Sequence, residues 1–133
     1  MAHWSETYIG RPHIEGAHDC VDLVSDVLGT CFAKAWTPPP RACGIRARDA
    51  QIACLKEAYA RPLAAGEAVC EGDIVLMRGL GRTRIAGHHI GVLVLIEGER
   101  HVLHCAATIG TVLQPLCGLA ARGLETTGIY RPL

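Results

Sequence analysis

The chain changes its hydrophobic rhythm part-way along, and that change narrows the folds open to it. Early on, Cys20, Leu23, Val24, Val27 and Leu28 recur at i, i+3, i+4, i+7 and i+8, the stripe of one helix face. Beyond Gly72 the apolar residues fall instead into short β-branched segments separated by glycine and charged turns, as strands do. Helices first and strands afterwards predict an α+β domain, with N-terminal helices packed on an antiparallel β-sheet. The 133 residues suit one domain spanning 1–133. A chain of this size buries roughly 68% of its unfolded surface, enough for a core without covalent staples.

Punctuation residues mark the elements. Residues 3–16 read as an irregular lead-in, broken by Gly10, Pro12 and Gly16. A first helix is predicted from Asp19 to Ala35, stopped by Thr37-Pro38-Pro39-Pro40, since proline cannot continue a helix and disfavours helix in the residue before it. Residues 41–47 are a connector, and a second helix is predicted over Ala47–Ala60, with Ile52, Leu55 and Tyr59 as its apolar face and Pro62 beyond its end. After a loop from Ala64 to Gly72, strands are predicted at Asp73–Arg78, His89–Ile96, His101–Cys105, Thr111–Gln114 and Gly128–Tyr130. Glu97-Gly98-Glu99-Arg100 reads as a hairpin turn, and Leu116–Arg122 as a short helix with Gly123 past its end.

Composition removes several functions. Lys+Arg and Asp+Glu both number 13, without the clustered basic excess of a nucleic-acid or membrane-surface binder. The longest strongly apolar run, Val92–Ile96, is far below the ~20 residues of a membrane span. The segment Met1–Glu6 lacks the charged and apolar regions of a signal peptide, so synthesis in the cytoplasm is expected. The 7 cysteines are odd in number and no two form a C-x-x-C, which argues against a disulfide framework and a zinc ribbon. Cys20 aside, most of them read as buried thiols packing as small apolar side chains. Nothing in the sequence calls for a cofactor or a resident metal.

Cys20 stands apart because of its position. Asp19 is placed as helix N-cap, which puts Cys20 in the first turn, where unpaired N–H groups and the helix dipole favour an anion. That setting lowers a thiol pKa from about 8.5 towards roughly 3.5–7.5, and the thiolate is the nucleophile. Strand alternation selects among the 7 histidines. His88 and His89 face opposite sides of a strand, as do His101 and His104, so at most one of each pair reaches a common site. Should His89 face the helix, Gly91, Leu93 and Leu95 do too and Val92 does not. Gly91 leaves room for a close neighbour. A hairpin folded near Gly98 brings His89 towards His104, so Cys20, His89 and His104 can supply nucleophile, base and orienting group.

Around these residues the chain resembles the NlpC family of papain-like cysteine peptidases, which cleave peptide stems of bacterial cell walls. Tyr8-Ile9-Gly10-Arg11-Pro12-His13 is similar to the family's lead-in, followed by Gly16 and Asp19-Cys20. Gly72-Asp73-Ile74-Val75 resembles its G-D-(L/I)-V strand, His89-Ile90-Gly91-Val92 its H-(V/I)-G-(I/V) strand, and Val102-Leu103-His104-Cys105-Ala106 its second histidine segment. Gly128-Ile129-Tyr130-Arg131 is similar to its final strand. The resemblance implies a papain-like fold, Cys20 as nucleophile, His89 as general base, His104 orienting it, and an oxyanion held by the Cys20 N–H. Tyr8, His13, Asp19 and His88 become substrate-binding candidates.

The chain departs from the family's pattern at Val21-Asp22, where Ser-Gly usually follows the nucleophile, a variation of phage-encoded members. It departs also at His13 and Glu15, which stand at aromatic positions bordering the substrate groove. The expected partner is a peptidoglycan peptide or a related small peptide, with phage tail proteins as further partners. A cytoplasmic enzyme trimming recycled wall peptides fits the sequence equally well. Two other readings compete: a papain-like virion tail or assembly protein with weak or no hydrolysis, and a metal site built from His88 or His89, His101 or His104, and Cys105. Alternation counts against the last, since a strand pair offers only one of its members.

Overall fold

The computed structural model describes residues 3–40, 50–80 and 87–133. Helix α1 (Cys20–Cys31) begins where the sequence predicts. Asp19 Oδ1 accepts the N–H groups of Val21 and Asp22, and the Asp22 carboxylate accepts the Asp19 N–H, a reciprocal capping box. Cys20, Leu23, Val24, Val27 and Leu28 form the buried stripe, with Val21 beside it. The helix ends at Cys31 rather than Ala35. Ala33 turns left-handed (φ 51°), Lys34 N–H donates to the Leu28 carbonyl at 2.9 Å, and Phe32 packs edge-on against Trp4, ring centroids 5.3 Å apart. The prolines thus follow an end that aromatic packing has already set.

The predicted connector and the start of the second helix lie outside the described residues, as does Cys43. Helical residues 50–53 and α2 (Leu55–Ala58) follow, with Ile52 and Leu55 buried and Tyr59 packed against the same core. Ala60 corrects the predicted end of that helix, and Pro62 does lie beyond it. Both belong to strand β1 (Ala60–Pro62), which pairs with the last strand, Ala60 opposite Pro132. An edge strand tolerates Pro62 because its missing N–H is not needed by a second neighbour.

Strands β2 (Ile74–Gly79), β3 (His88–Ile96), β4 (Glu99–Ala106), β5 (Gly110–Pro115) and β6 (Leu124–Pro132) complete a six-stranded antiparallel sheet, ordered β1-β6-β2-β3-β4-β5. β2 to β5 form a meander, but β6 is longer than predicted and returns to lie between β1 and β2. The β3–β4 turn is tighter than predicted. Only Glu97 and Gly98 lie outside the strands, both at positive φ (51° and 80°), so Glu99 and Arg100 already belong to β4. Leu116–Arg122 divides into two 3₁₀ turns, Leu116–Gly118 and Ala120–Arg122, closed by Gly123 at φ 76°.

Alternation along the strands splits the core in two. Ile74, Leu76, Ile90, Val92, Leu103 and Cys105 pack with α1, while Val75, Met77, Leu93 and Val102 pack on the other face with Leu119 and Leu124. This reverses the expected facing of β3: Val92 meets the helix side, and Leu93 lies away from it. Among the described residues no helix is long and apolar enough to cross a membrane.

Candidate active site

Several chain segments converge at one end of the sheet. Gly10 N–H donates to the Thr111 carbonyl (2.9 Å) and Thr111 N–H to the Arg11 carbonyl (2.8 Å), which fastens the lead-in to the start of β5. Ile14 and His18 form an isolated bridge, and the Cys105 thiol lies 3.8 Å from the His18 carbonyl. The N-terminus of α1 therefore sits by the end of β4, where β3 begins.

Gly91 makes the histidine contact possible. A Cβ there would come within 2.6 Å of the Leu103 carbonyl oxygen and 2.9 Å of His104 Cβ. With no side chain in the way, His104 fits close against β3, and His89, two residues before Gly91 on the same face, reaches it diagonally. His89 Nε2 lies 2.9 Å from His104 Nδ1, the rings crossing at 80°. On the next strand Gln114 Oε1 lies 2.7 Å from His104 Nε2. All three are buried: His104 at 0% exposure, His89 at 5% and Gln114 at 8%. Burial pushes the His104 pKa below its usual value, and the smaller opposing effect of the Gln114 hydrogen bond does not reverse this.

The structure thus joins His89 to His104, as hairpin pairing predicts, and adds Gln114, which the sequence reading missed. One further step of alternation would have found it. Gln114 sits opposite Val102, two residues from His104 on the same face, and is a buried polar side chain on its strand. His88 is half-buried on the other face of β3, at the register position of Arg78. His101 lies at the start of β4, its Nδ1 3.2 Å from the Glu99 carbonyl.

Cys20 is 1% exposed and shares the helix-side core with Ile90, Val92, Leu103 and Cys105. These residues alternate with His89 and His104 along β3 and β4, so the histidine pair belongs to the strand face of Met77, Leu93 and Val102, opposite the one that α1 covers. Asp19 is buried, its carboxylate engaged in the cap, so its visible role is to start the helix. Tyr8, a substrate-binding candidate, is 2% exposed, and its hydroxyl lies 3.6 Å from Cys31 Sγ. Cys31 is at the far end of α1, ~16 Å along the axis from Cys20 at 1.5 Å per residue. Burial, aided by the Cys31 contact, pushes the Tyr8 pKa up to about 12.

His13 does border a groove. With Gly10, Pro12, Thr108, Ile109 and Gly110 it lines a cavity of about 290 Å³, and its Nε2 is 4.0 Å from Glu15. Two buried polar atoms on segments meeting at this end, His18 Nε2 and Thr111 Oγ1, make no hydrogen bond. The described cysteines form no disulfide with one another; Cys70 and Cys117 are exposed and Cys31 and Cys54 half-buried, which corrects the expectation that most are buried thiols. Among the described residues no group of at least 3 His, Cys, Asp or Glu side chains comes together as a metal site needs. Searches of protein-family models, curated proteins and solved structures find no match to this chain.

Proposed function

We propose that this chain is a cysteine hydrolase of papain-like, NlpC type that cleaves amide bonds of peptides, with cell-wall stem peptides as the substrate class its motifs resemble. One observation carries the reading: a buried His89–His104 hydrogen bond lies at the sheet end where an Asp19-capped helix starts with Cys20. In this reading the Cys20 thiolate attacks the carbonyl carbon and the developing oxyanion is held by the Cys20 N–H. His89 gives its proton to the departing amine as the C–N bond breaks, leaving a thioester. Water, deprotonated by His89, then attacks the thioester, releasing the acid and restoring the thiol. His104 holds the His89 ring throughout. The His13 cavity is the proposed seat of the peptide flanking the cleaved bond.

A second reading has its own support. A Cys20 exposed by only 1% and grouped with the helix-side residues, while the histidine pair shares the other strand face, suits a papain-like scaffold kept for assembly, as in a phage tail. Thiol alkylation across about pH 5–9, with sites read by mass spectrometry, separates the two, because only a primed thiolate reacts at low pH. Exposed Cys70 and Cys117 serve as internal references. The hydrolase reading expects Cys20 to be labelled first at acidic pH and His89→Ala to abolish that advantage. It also expects Cys20→Ala to end cleavage of muropeptides, with Cys117→Ala fully active. A Cys20 that reacts no faster than the two references favours the assembly protein.

A further inference from the structure

A neutral imidazole carries one N–H and one lone pair, and the partner of either nitrogen decides which is which. Gln114 Oε1 is a carbonyl oxygen and only accepts, so at 2.7 Å it requires the hydrogen of His104 to sit on Nε2. His104 is wholly buried and lacks a countercharge in this contact, so its ring stays neutral and Nδ1 holds the lone pair. That lone pair faces His89 Nε2 at 2.9 Å and accepts its N–H. The remaining lone pair of a neutral His89 is then on Nδ1. Hydrogen bonds thus run one way across three adjacent strands, from β3 to β4 to β5.

Building on the hydrolase reading above, we propose that Gln114 is a positioning residue whose amide oxygen fixes the tautomer of His104 and so makes Nδ1 the basic nitrogen of His89. An amide suits this place better than a carboxylate. A carboxylate against His104 Nε2 would draw the positive charge onto His104, whereas a neutral amide leaves the imidazolium charge of the reaction on His89. When His89 takes up a proton on Nδ1, its Nε2–H still donates to His104, so the chain needs no rearrangement. Gln114 with its amide reversed would impose the opposite order, leaving His89 Nδ1 carrying hydrogen and unable to act as base.

The test reads the rings directly, through two-bond ¹H–¹⁵N correlation on the full chain labelled at histidine, at a pH well above the usual imidazole pKa. The expected spectrum has Nε2 of both His89 and His104 protonated and both Nδ1 atoms unprotonated. A His104 with unprotonated Nε2 overturns the proposal without any mutation. Gln114→Leu should shift the His89 and His104 nitrogens towards a tautomer mixture. It should also slow Cys20 alkylation at neutral pH by at least about tenfold, less than the roughly 10⁴-fold loss when a triad imidazole is held in the wrong tautomer. Gln114→Glu, which keeps an acceptor, should retain the wild-type tautomers. If Gln114→Leu leaves tautomers and alkylation unchanged, Gln114 positions nothing. If the nitrogens behave as expected while wild-type Cys20 reacts only like Cys117, the assignment of Gln114 stands and the hydrolase reading falls.

Discussion

Gly91 is where β4 comes closest to β3, and its missing side chain sets the distance between the two histidines. Gly91→Ala would drive a methyl group into the Leu103 carbonyl and His104 Cβ, so the strands must part. Overpacking of this kind costs about 1–3 kcal/mol, to be read by urea unfolding, and the His89–His104 nitrogen signature should be lost with it. His104 makes a second prediction. Unfolded, it titrates near 6.5, while burial holds the folded ring neutral to lower pH. Above that value neither state is protonated and His104 adds no pH dependence. Below it only the unfolded chain takes the proton, so stability falls as pH falls, by up to about 1.4 kcal/mol per pH unit until the folded ring titrates too. Urea unfolding of wild type and His104→Gln on either side of that value checks this: the variant should lose that part of the slope. Both histidines were legible in the sequence because a hairpin and a period of two leave few ways to pair them. Gln114 lay hidden because its meaning depends on a third strand.

At the scale of elements, starts proved easier to read than ends. The start of α1 is written in two short side chains, since Asp19 and Asp22 satisfy N–H groups that any helix leaves open. Asp19→Ala should therefore cost about 0.5–2 kcal/mol in urea unfolding, and should raise the pH at which Cys20 becomes reactive by loosening the first turn. A variant with unchanged stability would show that packing, not the cap, starts the helix. The end of α1 depends on Phe32 meeting Trp4 and Gly72, contacts far apart in sequence, and no local signal announces them. The central strands were legible from their β-branched runs. β1 was not, because three residues ending in proline become a strand only when β6 lies beside them.

Taken as a whole, the molecule divides its sheet between two tasks. Met77 opposes His89 at one end of the β2–β3 pair, and Ile74 opposes Val92 and Tyr130 towards the other. At that second end Arg131 Nε and Nη2 bind the two Asp73 oxygens at 2.7 and 3.1 Å, and Nη1 reaches Glu67 at 3.1 Å. Asp73 also accepts the Cys70 N–H at 2.8 Å, and its carbonyl takes the Leu93 N–H. Nearby, Glu71 gathers His3, Trp4 and the Leu95 N–H, so the lead-in and β6 are both fastened here. Charges at this end hold the fold, while the neutral chain His89–His104–Gln114 occupies the other. Arg131→Met leaves the buried Asp73 carboxylate without its countercharge and should cost on the order of 3 kcal/mol. Adding Asp73→Asn should recover part of that loss, because the uncompensated charge is then gone. Urea unfolding measures both steps, and the histidine nitrogen pattern with Cys20 alkylation, taken where each variant is still folded, measures the far end. Stability should move while the histidine pattern and thiol reactivity stay as in wild type. A shift in either would mean that the clamp at Asp73 reaches through β2 and β3 to set the geometry of the histidine pair.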